Sequence, residues 1–225
     1  MIHAQRDWGR FGAVLLVAFC LLAVSTVDAQ SKKSAKQAES LEKSGESARS
    51  AVQDLLDHLS KMLTGYNSII DGSAKDAQSA YKKLVGDLNG TKNKIDGTNK
   101  QLAGLKKEAE KFFQAWEQDL ADISSESLRQ KSAARMETAK QRFAALGETL
   151  GKAREEFAPV VRNLNDQILF LGRDLSPEAV ADLQDEAAEL NQQAADVTEK
   201  VKAMLQSAGK VQGEAEAELE AEEQG

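Results

Sequence analysis

The chain has 225 residues, of which 2 are His, 1 Cys and 2 Pro, with 5% aromatic and 29% charged residues. So few His and Cys starve the commonest metal-binding and nucleophilic chemistry, and so little Pro and aromatic content does not suit a thick, turn-rich core. The net charge is −7, with no basic stripe interleaved with aromatics, which argues against nucleic acid as a partner.

Residues 1–29 read as a leader. Arg6 and Arg10 precede an apolar run from Phe11 to Val24, and Ser25 to Ala29 follows, with a β-branched residue, Val27, and a small one, Ala29, at the −3 and −1 positions of a cut. A basic start, a short apolar stretch and a small-residue end describe a secretory signal peptide, cut here between Ala29 and Gln30. Retention as an inner-membrane anchor is the alternative, but a spanning helix needs ~20 apolar residues. A lipidated N-terminus would need a small residue before Cys20, and Phe19 is large. Cleavage would leave no cysteine, so an exported chain would hold together by helix packing without disulfides. Export places the protein in the periplasm, with no stable membrane insertion once the leader is removed.

Residues 30–211 carry helical periodicity throughout. The first helix, from about Ser34 to Tyr66, sets Ala48, Val52, Leu55, Leu59, Met62 and Tyr66 in steps of four and three. After a loop at Asn67–Ser73, the second runs to Ile123 with Leu84, Leu88, Thr91, Ile95, Thr98, Leu102 and Leu105 as its stripe. An extra four-residue step then moves the stripe to Phe113, Trp116 and Leu120. Ser124–Ser127 is a short connection of N-cap residues. The third helix continues through Met136, Phe143, Leu150, Phe157, Val160, Leu164 and Leu171, with a kink expected at Pro159. Ser176-Pro177-Glu178 is a start signal for a fourth helix reaching Val211.

Three-four spacing averages 3.5 residues, and short loops set neighbouring helices antiparallel. The expected fold is all-α: an antiparallel four-helix bundle or coiled coil with a long central helical hairpin, whose tip near Glu108–Arg142 projects. Residues 212–225, with glutamates at 214, 216, 218, 220, 222 and 223, read as an acidic disordered tail.

Few residues invite chemistry. His58, the one histidine outside the leader, falls beside the Leu55–Leu59 stripe and is expected on a solvated flank. The residue three before it is Leu55, so the Glu-x-x-His pattern of a di-iron bundle is missing. No catalytic residue, metal ligand or cofactor site is assigned. Gly90, Gly97 and Gly104 recur at one heptad position, which reads as a loosely held stretch; close approach by another helix is the alternative. Two apolar segments stand out as candidate partner contacts, Phe113 with Trp116, and Ile168, Leu169 and Phe170. Four consecutive apolar residues, Ile168 to Leu171, cover more than one helical stripe. Burial between helices is the expectation for both segments, and a partner site the alternative.

With these residues in view, the chain resembles a family of exported bacterial proteins, domain of unknown function 2959. The resemblance spans roughly residues 41–205. It is carried by Ala80-Tyr81-Lys82-Lys83-Leu84, Phe113 with Trp116-Glu117 and Leu120, Ser127-Leu128-Arg129, Pro159-Val160 and Asp166 to Leu171. It implies an exported helical protein and brings no activity. Some members look like lipoproteins, and Phe19-Cys20 departs from that pattern. The functional expectation is a non-enzymatic envelope scaffold or adaptor binding protein partners by helix packing. A ligand-binding or carboxylate-based hydrolytic bundle is the alternative. Seams of this kind close within a chain or between chains, so a homo-oligomer is left open.

Overall fold

The structure, a computed structural model, describes residues 28–223, with side chains from Lys36 to Ser207. The expected leader falls almost wholly outside them. Of Ala29 and Gln30 only the backbone is described, in the first turn of α1. The described chain is all-α: α1 (Asp28–Ile70), α2 (Ala77–Ala121), α3 (Glu126–Leu171), α4 (Pro177–Ala181) and α5 (Gln184–Glu223). Among the described residues no helix is long and apolar enough to cross a membrane.

Helix boundaries follow local chemistry. α1 outlasts its expected end at Tyr66 because Ile69 also buries its side chain. It stops at Gly72, whose φ of 70° is the left-handed conformation that favours glycine. There the Ala74 N–H returns to the Ser68 carbonyl at 2.8 Å. Asp76 caps α2, accepting from the N–H groups of Gln78 at 3.0 Å and Ser79 at 3.3 Å. The Ser79 hydroxyl donates to its other oxygen, and these bonds hold the Asp76 carboxyl below its usual range. α3 runs unbroken through Pro159. The carbonyl that loses its N–H partner there belongs to Glu155, and both residues lie on the exposed face, open to solvent.

The fourth expected helix is two. Ser176 caps α4 with its side chain accepting from the Ala179 N–H, and Pro177 occupies the first turn, as the sequence signal implies. The winding then tightens: the Leu183 N–H bonds the Val180 carbonyl at 3.2 Å, one residue short of the α-helical partner. Ala179 is buried and Val180 half-buried as a result, and the seam resumes at Leu183, Ala187 and Leu190. α5 continues as backbone helix through the Ala- and Glu-rich end to Glu223, in keeping with the high helix propensity of both residues. Side chains beyond Ser207 lie outside the described residues.

The described residues fall into two compact units. One takes Ala48–Leu102 and Thr149–Leu205; the other takes the chain up to Ser47, Ala103–Glu148 and Gln206 onward. In the first, the core is built from the expected stripes. Leu55, Tyr66, Phe157, Leu164 and Leu190 are wholly enclosed, each worth about 1.5–3 kcal/mol of burial for the aliphatic and aromatic side chains involved. Contacts run in reversed chain order between neighbours, so they are antiparallel. Thr98 reaches Ala51 while Thr91 reaches Met62 across α1–α2, and Glu156 pairs with Lys200 while Asn163 bonds Gln193 across α3–α5.

In the second unit, Gly45 of α1 lies opposite Leu105 of α2 and Leu146 of α3. Ser40 donates to Glu108 at 3.2 Å. Farther along α2 and α3, Phe113, Leu120 and Met136 form a core with Phe112, Trp116 and Phe143 packed on it.

Candidate interaction surface

The two segments singled out in the sequence resolve differently. In α2, Phe113 is buried, 7% exposed, and stacks at 6.5 Å between ring centroids on Trp116. Phe112 meets Trp116 edge-on at 5.6 Å, and Phe143 of α3 meets Phe113 edge-on at 6.0 Å. These are the offset and T-shaped geometries that the ring quadrupole favours. The half-buried Trp116 donates its Nε1–H to the Ser132 hydroxyl at 3.0 Å, which satisfies its polar edge within the chain. The cluster is largely self-contained.

The Ile168–Leu171 segment divides. Ile168 and Leu171 are buried at 3% and 1% exposed, whereas Leu169 and Phe170 are 61% and 44% exposed. Burial of the whole segment, the expectation above, is therefore corrected. At 100° per residue four consecutive side chains sweep most of the helix circumference, and the core receives only the two that face it. Beneath them lies a polar layer. The buried Tyr66 donates its hydroxyl proton to Oε1 of Gln167, and Gln167 donates in turn to Asn163 Oδ1 at 2.9 Å and the Glu186 carbonyl at 3.2 Å. Burial, reinforced by Glu186, pushes the Tyr66 hydroxyl pKa above its usual range. Asn67 and Asn191 exchange amide hydrogen bonds of 2.9 Å across α1–α5. The sequence reading missed this layer, although Gln167 sits between Leu164 and Leu171 on the core stripe, where a polar residue requires partners.

The α3 segment also ends against α2. A methyl group added at Gly172 would collide with the Tyr81 hydroxyl and stand 3.4 Å from the Ile168 carbonyl. Gly172 is thus the close-approach position that lets Tyr81 pack at this end of α3.

The remaining candidates have structural employment. His58 is half-buried, with Nε2 3.3 Å from the Asp87 carbonyl and the Gly90 backbone beneath it. The solvated flank expected for it is corrected, because Gly90 leaves room for the ring between α1 and α2. Gly97 and Gly104 face open space. Thr91 and Thr98 are buried, their hydroxyls donating to carbonyls one turn back at 2.9 Å. A groove of about 520 Å³ lies between α1 and α5. It is lined by Gln53, Ser60, Thr64, Thr198 and Lys202 among others, and not by these threonines. Among the described residues no three His, Cys, Asp or Glu side chains gather where they could hold a metal ion.

A family model described as a protein of unknown function, DUF2959, matches residues 28–213. The chain belongs to this family. The match is wider than the stretch on which the sequence resemblance rested, and it takes in all the residues of the candidate surface. Neither the comparison with curated proteins nor that with solved structures gives a match.

Proposed function

We propose that this DUF2959 protein is a non-enzymatic, exported scaffold or adaptor that binds protein through the outer face of α3. One observation carries the reading: Leu169 and Phe170 stand exposed on a helix whose opposite face is fully committed to the core. Two large apolar side chains side by side on solvent cost free energy that a partner's surface recovers. The basic and apolar N-terminal segment supports export to the periplasm, and the family match begins at residue 28, just after it.

Crosslinking with mass spectrometry in the native cell tests the reading. Protein crosslinks from the α3 face are expected in the wild type and are expected to be lost in Leu169→Glu. No crosslinked protein in either preparation would overturn it. Cell fractionation tests the address: the chain should be released with periplasmic contents and should be shorter than its coding length by the leader.

A further inference from the structure

The outer face of α3 has a pattern of charged and apolar positions that reads the same in both directions, with the signs of the charges reversed. From Glu155 to Arg173 its exposed side chains fall within an arc of about 120° at 3.6 residues per turn, opposite the buried Phe157, Leu164 and Leu171. Charged and apolar positions alternate along it. Resting on the reading above, we propose that the partner is a second copy of this chain, with the two α3 faces packed antiparallel about a two-fold axis level with Leu164.

The register follows from the sequence on that face. About this axis Arg162 meets Asp166 of the other copy, and does so twice by symmetry. Leu169 then falls against Ala158 and Phe170 against Pro159, so each apolar pair of one copy covers the apolar pair of the other. Glu155 reaches Arg173 at the two ends. A two-fold contact must be self-complementary, residue against residue in exchange, and all four pairings satisfy that: two of opposite charge and two apolar. Within the chain, no ion pair engages Arg162, Asp166 or Arg173 among the described residues, and Asp166 accepts only a 3.3 Å amide hydrogen bond from its neighbour Asn165, so no opposite charge within the chain competes for them. Glu155 makes only a 3.5 Å contact with its neighbour Arg154. Pro159 fits the same scheme, since its ring gives the exposed face a rigid apolar surface where solvent can satisfy the Glu155 carbonyl that loses its backbone N–H partner.

A single helix face lies at the small end of protein interfaces, so association is read over a concentration series. The full chain, expressed with its native N-terminus, is followed by sedimentation equilibrium, with circular dichroism confirming that each variant is folded. The wild type should pass from monomer to dimer. Arg162→Asp places like charges opposite each other twice, as does Asp166→Arg, and each should weaken dimerisation about tenfold or more. Mixing the two variants should restore a dimer, because each supplies the charge that the other lacks; a folding defect in either would not be repaired by mixing. A monomeric wild type, a dimer indifferent to both substitutions, or variants that fail to complement would overturn the proposal. The in-cell crosslinks separate it from the broader reading: a monomer whose α3 face still crosslinks to a different protein, lost in Leu169→Glu, removes self-pairing and leaves the adaptor standing.

Discussion

Phe112–Trp116 and Ile168–Leu171 pose one question in the sequence and receive opposite answers in the fold. Both are apolar runs on long helices, and both interrupt a narrow stripe with side chains that the stripe does not need. In the first, the surplus is aromatic. Phe112 and Trp116 use their edges and faces against Phe113, and Trp116 finds a hydroxyl on α3. In the second, the surplus is Leu169 beside Phe170, both exposed, and among the described residues no aromatic ring stacks on Phe170. The lesson is that surplus apolar residues on a two-sided helix are absorbed when they can stack laterally, and are presented to solvent when they cannot.

Truncating the buried members tests this comparison most severely. Phe113→Ala and Ile168→Ala should each lower unfolding free energy by about 2–5 kcal/mol in urea titrations, since each leaves a cavity in a packed layer. Leu169→Ala, one residue from Ile168, should change stability by only about 0.5 kcal/mol. Equal losses at 168 and 169 would show that the run is buried throughout and would remove the basis for a surface there.

The end of the run gives the next effect. Gly172→Ala forces the Tyr81 ring away from α3, and overpacking of this kind costs about 1–3 kcal/mol. Tyr81→Phe in the same chain deletes the hydroxyl that collides and should recover part of the loss. Without recovery, the contact at Tyr81 would not be what requires a glycine.

A smaller effect comes from the polar layer under Ile168. Tyr66→Phe leaves Oε1 of Gln167 buried without its donor, at a cost of about 1–2 kcal/mol at neutral pH. The pH dependence has a definite sign. The folded-state pKa of Tyr66 is raised above its ordinary 10.0, so the unfolded chain gives up this proton first. The stabilisation is complete below pH about 10 and is lost as pH rises through the folded value. Stability of the wild type should therefore fall more steeply than that of Tyr66→Phe in alkaline buffer. Parallel profiles would contradict the buried placement of the hydroxyl.

These residues also mark how much was legible beforehand. The core stripe was, because Val52, Leu55, Leu59, Met62 and Tyr66 recur at a period that admits one reading, and all five are enclosed. The start of α4 was legible from Ser176-Pro177, whose cap chemistry is local. The tightening at Leu183 was not, since it depends on which carbonyl one N–H selects, and neither Asp182 nor Leu183 announces that choice. His58 was misplaced because its fit depends on the missing Cβ of Gly90, 32 positions away, and spacing within one helix says nothing of its neighbour. Ile168–Leu171 was expected to be covered as a block, whereas Leu169 and Phe170 stand on the exposed face. Periodicity resolves single residues better than it resolves segments.

The smallest effect concerns Trp116, the residue that would most readily have been taken for a partner anchor. Its indole N–H donates to Ser132, sixteen positions on and across the hairpin. Ser132→Ala removes that acceptor at a cost of about 1 kcal/mol. Because the indole is only half-buried, water can replace the lost partner, so the change should appear chiefly in Trp116 fluorescence, as a red shift with little loss of helix by circular dichroism. Leu169→Ala should leave that emission unmoved. If Ser132→Ala left the spectrum unchanged, Trp116 would not be held by α3. The aromatic segment would then join Leu169 and Phe170 as a surface open to another protein.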